Sequence, residues 1–127
     1  MKPLLLALTL LLGGCVSMAA DESIADYRRV APTIRVGDGQ EAVMAKLRPI
    51  QNKTPELYQR APTRFTLSDG LKVEIVYVLG ARVADRRQTD DEYVPHTFAD
   101  GVLIAIGWDQ IGGLQTLARD QDRPAAP

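Results

Sequence analysis

The chain has 127 residues, of which 46% are hydrophobic and 24% are charged, and its formal net charge is −1. This length suffices for one small domain with a single modest core. The near-neutral charge predicts neither a nucleic-acid-binding surface nor a polybasic membrane patch. With only one cysteine, the chain cannot form an internal disulfide, so packing alone must stabilise the fold.

The first 14 residues have the pattern of an export signal. Lys2 supplies a positive charge, and the apolar run LLLALTLLL (Leu4–Leu12) has the length of the hydrophobic region of a signal peptide. Even extended to Ala20, the apolar stretch is short for a bilayer span, and two glycines at positions 13 and 14 weaken it as a helix. We therefore predict a lipoprotein signal peptide over residues 1–14.

Two cleavage patterns compete around Cys15. Leu12-Gly13-Gly14-Cys15 has the form of a bacterial lipobox, in which an aliphatic residue and two small ones precede the cysteine that becomes acylated. The small-x-small pattern Ser17-Met18-Ala19 would instead direct ordinary cleavage, discard Cys15 and release a soluble protein. An exported chain with one cysteine carries an unpaired thiol into an oxidising compartment unless that thiol is used. This argument favours lipidation of Cys15.

Acylation of Cys15, with palmitate among the chains, would hold the protein on a membrane without a spanning helix. Val16 follows the cysteine, as in lipoproteins that are sorted to the bacterial outer membrane, and we expect that location with the domain facing the periplasm. Because Lys2 is the only charged residue before Cys15, 14 basic and 16 acidic residues remain after cleavage, a net charge of −2.

The next residues predict a tether and a short first helix. Residues 15–23 are mostly small or acidic and are assigned to a lipid-anchored tether, and the domain itself is assigned to residues 24–112. A short helix is expected over Ser23–Val30, ended by Ala31-Pro32 because the residue before proline avoids helical backbone angles.

A second helix is expected from the capping-box spacing of Asp38 and Glu41. It should extend over Gly39–Arg48, place one apolar stripe on the core and end at Pro49. The stripe consists of Val43, Met44 and Leu47. Residues 51–62 form either a plain loop or a single helical turn opened by Thr54-Pro55.

Two hairpins follow, each with an Asp-Gly turn that favours positive φ angles. The first joins Arg64–Leu67 to Leu71–Leu79, whose odd-numbered residues should share one face. The second joins Tyr93–Phe98 to Val102–Trp108, a strand apolar on both faces that should be central or covered on each side. Pro95 cannot donate to a ladder, so we expect its strand to begin nearer His96 or to lie at an edge. Residues 113–127 are expected to form a flexible tail.

These motifs together resemble the SmpA/OmlA family of small outer-membrane lipoproteins, which includes an accessory lipoprotein of the β-barrel assembly machinery. The resemblance rests on Val36-Gly37 before a helix that contains Glu41-Ala42-Val43, and on the run Phe98–Leu103. It implies an α+β fold in which two short helices pack on a three- to four-stranded antiparallel sheet. It also implies a partner among outer-membrane assembly components. The chain departs from the family pattern at Leu47-Arg48-Pro49.

Candidates for chemistry are few. The single histidine, His96, alternates with apolar residues and is expected to be partly buried and hydrogen-bonded locally. Ser68 lies in a turn beside Asp69 and Gly70, and turn formation accounts for this serine without a catalytic role. Trp108 is expected to anchor the core on the face of Ile104 and Ile106. The acidic residues between positions 85 and 92 lack EF-hand spacing and are expected to form a solvated loop; they are Asp85, Asp90, Asp91 and Glu92.

We therefore expect a non-enzymatic, lipid-anchored interaction module of the envelope, with no cofactor and no metal. The alternatives are an inhibitor or ligand-binding lipoprotein on a β-lactamase-inhibitor-like fold and, less favoured, a hydrolase that uses His96. A polar loop after the first hairpin has no core role, and loops on a rigid scaffold often carry recognition. Its predicted partner-binding residues are Arg82, Arg86, Arg87, Asp90, Asp91, Glu92 and Tyr93.

Overall fold

The computed structural model describes residues 2–82 and 89–109, with side chains described from Cys15 onward. The predicted α+β class is confirmed, because two helices accompany one four-stranded antiparallel sheet of order β1-β2-β3-β4. Short 3-10 turns at Ala31–Thr33, Glu56–Tyr58 and Asp90–Glu92 connect these elements. The helices and strands are α1 (Lys2–Val30), α2 (Gln40–Lys53), β1 (Thr63–Thr66), β2 (Lys72–Leu79), β3 (Tyr93–Ala99) and β4 (Val102–Ile106).

Two hydrophobic clusters use alternate side chains of β2. The first joins the helices to the sheet, and its buried members are Tyr27, Ile34, Val43, Leu47, Ile50, Val76, Val78, Phe98 and Leu103. The second contains the odd-numbered residues of β2, as their period of two predicts, and its buried members are Ala20, Ile24, Val73, Ile75, Tyr77, Leu79 and Tyr93. From Ile75 to Leu79, both faces of β2 are therefore apolar and covered, whereas Lys72 and Glu74 at its start are not buried.

Helix α1 is longer than the predicted helix over Ser23–Val30. It runs without a break through the residues assigned to the tether, and both Ala20 and Ser23 are fully buried. Small side chains allow this close packing, and the Ser23 hydroxyl donates to the Ala20 carbonyl at 2.9 Å. The packed domain consequently begins at Ala20, not at residue 24. The end of α1 at Val30, before Pro32, agrees with the prediction.

The predicted capping box of α2 is wrong. Gly39 is the N-cap residue and no side chain caps the helix. Asp38 is engaged elsewhere, because its carboxylate accepts from the Arg35 amide at 2.9 Å and its carbonyl accepts from the Leu103 amide at 2.9 Å. The turn before α2 is thus bonded to the sheet instead of to the helix.

Pro49 lies inside α2 and does not end it, contrary to the prediction. Proline removes one hydrogen bond of the helix, but the added turn buries Ile50, which is 4% exposed. The predicted stripe is confirmed, since Val43 and Leu47 are buried and Met44 is partly buried against them. A single 3-10 turn, Glu56–Tyr58, follows Thr54-Pro55, as one of the two alternatives predicted.

Both predicted hairpins are present. In the second, Asp100 and Gly101 have φ angles of 47° and 81°, as the Asp-Gly turn requires. Strand β3 begins at Tyr93, includes Pro95 and lies between β2 and β4, so both predicted alternatives, a start near His96 and an edge position, are wrong. The Pro95 carbonyl accepts from the Gly107 amide, beyond the last residue of β4. In an antiparallel sheet, the N–H and C=O groups of one residue point to the same neighbouring strand, which for Pro95 is β4. The N–H group that proline lacks would therefore point past Ile106, where β4 has already ended, and no ladder hydrogen bond is lost within the strand.

Strand β4 lies at an edge of the sheet, whereas its apolar sequence predicted a central or doubly covered strand. Val102 and Ile106 are each 41% exposed. The backbone of residues 37–40 covers the edge instead, with bonds of 2.7–2.9 Å to Gly101 and Leu103. Within the described residues, no helix is long and apolar enough to cross a membrane.

The domain has two distinct ends along the strand direction. At the turn end, both Asp-Gly turns lie beside the start of α2, whose Gln40 amide donates to the Gly101 carbonyl at 2.7 Å. At the loop end, the Arg82 guanidinium contacts Asp21 on α1, and Lys53 at the end of α2 pairs with Asp26 on α1. The N-terminal part of the packed domain therefore lies at the loop end.

Candidate functional site

The predicted partner-binding loop is divided between surface and interior. Arg82, Asp90 and Asp91 are exposed. Glu92 and Tyr93 are buried, at 1% and 4% exposure, so their assignment to a partner surface is wrong. Arg86 and Arg87, like Asp85, lie outside the described residues.

The backbone explains why Glu92 and Tyr93 turn inward. The Glu92 carbonyl accepts from the amides of Gly80 and Ala81, at 2.8 and 3.1 Å, which brings the two ends of the loop together. Strand β3 starts at the next residue, and Tyr93 takes its alternate position in the second cluster. The sequence does not reveal this boundary between exposed and buried residues, because Asp90, Asp91 and Glu92 are all acidic.

Arg82 joins the loop to α1. Its Nε lies 3.2 Å from a carboxylate oxygen of Asp21, and its Nη1 donates to the Tyr58 hydroxyl at 3.4 Å. The bond to Tyr58, followed by the attraction of Asp21, raises the pKa of Arg82 above its ordinary value. One exposed cation thus connects three separate segments at the loop end.

Arg60 is the central cation of the site, and sequence analysis missed it. Its guanidinium lies 4.3 Å from the ring centre of Tyr77 and 5.4 Å from that of Trp108. It also donates to Asp90 at 2.7 Å. No local pattern marks Arg60, because its partners come from β2, from the turn before β3 and from the residues after β4. Only the tertiary fold brings them together.

Trp108 packs on the second cluster, not beside the exposed Ile106. Gly107, with a φ of 104°, separates the two residues. The indole stacks on Tyr77 at a centroid distance of 5.8 Å, and its Nε1 donates to the Tyr93 carbonyl at 2.9 Å. Trp108 therefore anchors the core, as expected, and its indole N–H is hydrogen-bonded. It does so on the face of the second cluster, not on the face of Ile104 and Ile106.

We expect Arg60→Ala to lower the free energy of unfolding by about 1–2 kcal/mol, because it removes cation–π contacts and one ion pair. The wavelength of maximum fluorescence emission of Trp108, the only tryptophan, should shift because the Arg60 guanidinium no longer lies over its ring. Chemical denaturation and fluorescence spectra measure both effects. Arg48→Ala is the matched control, since Arg48 is exposed on α2 and should leave both unchanged. An unshifted spectrum with unchanged stability would show that Arg60 does not hold this cluster.

His96 is fully buried, more deeply than predicted, and its partner is distant in sequence. Its Nε2 lies 3.2 Å from the Tyr27 hydroxyl on α1, and the two rings meet edge-to-face at 5.7 Å. Its Nδ1 has no hydrogen-bond partner in the described part of the chain. Burial lowers the pKa of His96 to about 4, and the backbone of Val94 and Val76 opposes this shift only in part. Burial also raises the pKa of Tyr27 to about 12.

A groove of about 430 Å³ lies at the turn end, beside the edge strand β1. Glu74 is its central polar group, accepting from Gln40 at 3.1 Å and from Arg64 at 3.3 Å. Phe98 and Val73 supply apolar lining, and Lys72 adds a further cation. The groove offers mixed charge over an apolar floor, which suits a peptide or small polar ligand.

Within residues 2–82 and 89–109, no group of three or more histidine, cysteine or acidic side chains is arranged to hold a metal ion. Asp90 pairs with Arg60, which lies 30 positions away in sequence and outside the loop. Cys15 is exposed on α1. Comparisons with protein-family models, with characterised proteins and with solved structures gave no match to this chain. The SmpA/OmlA resemblance therefore stays a prediction.

Proposed function

We propose that this chain is a lipid-anchored, non-enzymatic protein of the bacterial cell envelope that acts as a protein-interaction module in outer-membrane biogenesis or integrity. The observation that carries the proposal is the position of Cys15. It follows the apolar run Leu4–Leu12 after two glycines, is exposed on α1, and precedes Ala20, the first buried residue among the described side chains, by five positions. An acyl group on this sulfur would meet no packed side chains of the domain.

The interaction role is supported by what the two ends of the domain present. At the loop end, Asp90 and Asp91 are exposed, and ion pairs of Arg60 and Arg82 hold this region together. At the turn end lies the groove around Glu74. The His96 ring is enclosed between α1 and the sheet, where no substrate can reach it in this conformation. This burial favours a binding role over a hydrolase that uses His96. A scaffold whose polar groups lie on rigid elements suits recognition.

Replacing Cys15 by alanine is expected to abolish acylation, and cleavage after Ala19 would then move the protein from the detergent phase to the aqueous phase of envelope extracts. Intact-mass spectrometry should find wild-type chains that begin at acylated Cys15. Pull-downs from envelope fractions should recover the partner with wild type and much less of it with Cys15→Ala, because tethering raises effective concentration. Ser17→Ala is the control and should behave as wild type. A mature chain that starts at Ala20 without acyl mass would contradict the proposal.

A second candidate is an inhibitor or ligand-binding lipoprotein, and the groove around Glu74 is the observation that favours it. Its side chains come from β1, β2, β3 and the start of α2, so a bound segment would contact a rigid surface. A stoichiometric complex between the Cys15→Ala protein and a periplasmic enzyme, weakened by Arg64→Glu, would support this candidate over the scaffold role.

A further inference from the structure

We infer that the loop end of the domain rests on the lipid surface, which it contacts through the exposed apolar side chains of Met18 and Leu57. This inference rests on the proposed lipidation of Cys15. It also identifies which face of the domain is turned to the membrane and which face is left for partners.

The first step is the length of chain between the anchor and the domain. Only five residue steps separate Cys15 from Ala20, the first fully buried residue. As the helix that the structure shows, this segment spans about 7.5 Å, and even fully extended it reaches only about 17 Å. The headgroup layer alone is about 5–8 Å thick on each side of a bilayer. The domain therefore has no room to move away from the lipid surface.

The second step is which surface lies next to the anchor. Arg82 contacts Asp21 on α1 and the Tyr58 hydroxyl, so the 3-10 turn Glu56–Tyr58 lies beside the start of the packed helix. Met18 precedes Asp21 by three positions and shares its face of α1. Met18 and Leu57 thus belong to the same end of the domain as Cys15.

The third step is the chemistry of that surface. Met18 is 64% exposed and Leu57 is 66% exposed, the two most exposed large apolar side chains of the described chain. Asp21 pairs with Arg82 and Asp90 pairs with Arg60 at this end, so these four charges offer anionic lipid little net attraction. Flexible apolar side chains that enter the interface fit a lipid surface, and the contact should respond weakly to salt.

The opposite end then faces away from the membrane. Strand β3 has seven residues, and at about 3.3 Å per residue it carries the turn end roughly 20 Å farther from the anchor. The groove around Glu74 and the free edge of β1 lie there. Partners in the periplasm would therefore meet the turn end first, not the loop that the sequence suggested.

The test places an environment-sensitive fluorophore at either end of the lipid-modified, full-length protein. Acylation consumes the thiol of Cys15, the only native cysteine, so Glu56→Cys and Val36→Cys each carry one reactive thiol. Glu56 is exposed beside Leu57, and Val36 is 62% exposed next to the backbone that covers β4. The proteins are reconstituted in phosphatidylethanolamine vesicles with a minor fraction of phosphatidylglycerol, some lipids carrying a quencher at the headgroup.

We expect several-fold stronger quenching at position 56 than at position 36, and a decrease at position 56 when Leu57→Ser is added. Equal, weak quenching at both positions in protein of confirmed acyl mass would overturn the docking while the anchor stands. Unchanged quenching in the Leu57→Ser variant would remove Leu57 from the contact. Absence of acyl mass would instead refute the proposed function on which the inference rests.

Discussion

Replacing Phe98 by alanine is expected to lower the free energy of unfolding by about 3–5 kcal/mol, the range for removing a large buried aromatic side chain. Phe98 is 1% exposed and heads the fully buried side chains by volume. It lies in the cluster that joins both helices to the sheet, together with Leu47 of α2 and Val76 of β2. Small domains have only about 5–15 kcal/mol of total stability, so much of it depends on this ring.

Urea denaturation followed by circular dichroism measures this loss. Phe98→Leu keeps most of the apolar volume and should be clearly milder than Phe98→Ala. Leu57→Ala is the surface control, because Leu57 is 66% exposed, and it should change stability by less than about 0.5 kcal/mol. Equal losses for Phe98→Ala and Leu57→Ala would show that the cluster around Phe98 does not hold the helices on the sheet.

Period and turn chemistry were enough to predict most of the fold. The alternation of Val73, Ile75, Tyr77 and Leu79 identified β2 and its second face, and the Asp-Gly pairs identified both hairpin turns. These signals are local, so a single sequence carries them. They are also the signals that directly determine secondary structure, through side-chain burial and allowed φ angles.

The errors occur where a tertiary contact overrides a local preference. Pro49 should end a helix, yet the burial of Ile50 continues it. Asp38 should cap α2, yet its backbone is bonded to Leu103 of β4 and its carboxylate accepts from the Arg35 amide instead. Strand β4 is apolar enough to be central, yet residues 37–40 cover its edge. Each of these outcomes depends on residues far away in sequence, which no local pattern contains.

The candidate site was less predictable than the fold for the same reason. Arg60 interacts with Tyr77, Trp108 and Asp90, which lie 17, 48 and 30 positions away, and none of these spacings is distinctive. Arg82 was identified by its loop, but its partners Asp21 and Tyr58 were not. Identifying the charged loop as the functional surface followed from charge alone, and the structure shows that part of this charge stabilises the loop end itself.

The stability of the protein is expected to fall as the pH drops from about 6.5 to about 4, because of His96. Above about pH 6.5 the imidazole is neutral in both the folded and the unfolded chain. Within this pH window, the unfolded chain binds a proton at the ordinary pKa of 6.5, whereas burial lowers the pKa of folded His96 to about 4. The unfolded state therefore binds more protons, and the free energy of unfolding decreases as the pH falls. At about 1.4 kcal/mol per pKa unit, the total loss approaches about 3 kcal/mol.

This pH effect can be assigned to one residue, because the chain has a single histidine. The salt-bridged Asp26, whose pKa the bond to Lys53 lowers below its ordinary value of 3.8, loses its contribution mainly near and below the acid end of the histidine window. His96→Gln keeps an acceptor for the Tyr27 hydroxyl but cannot titrate, so its stability should be nearly independent of pH between about 6.5 and about 5. Urea denaturation at closely spaced pH values measures the slope.

Tyr27→Phe is the matched control, since it removes the hydroxyl 3.2 Å from Nε2 while His96 stays in place. This variant should lose about 1 kcal/mol at neutral pH and keep the wild-type slope, because the slope arises from the burial of the imidazole and not from its one hydrogen bond. A slope that persists in His96→Gln would show that other groups bind the proton. A slope that disappears in Tyr27→Phe would show that the hydroxyl, and not burial, keeps His96 neutral.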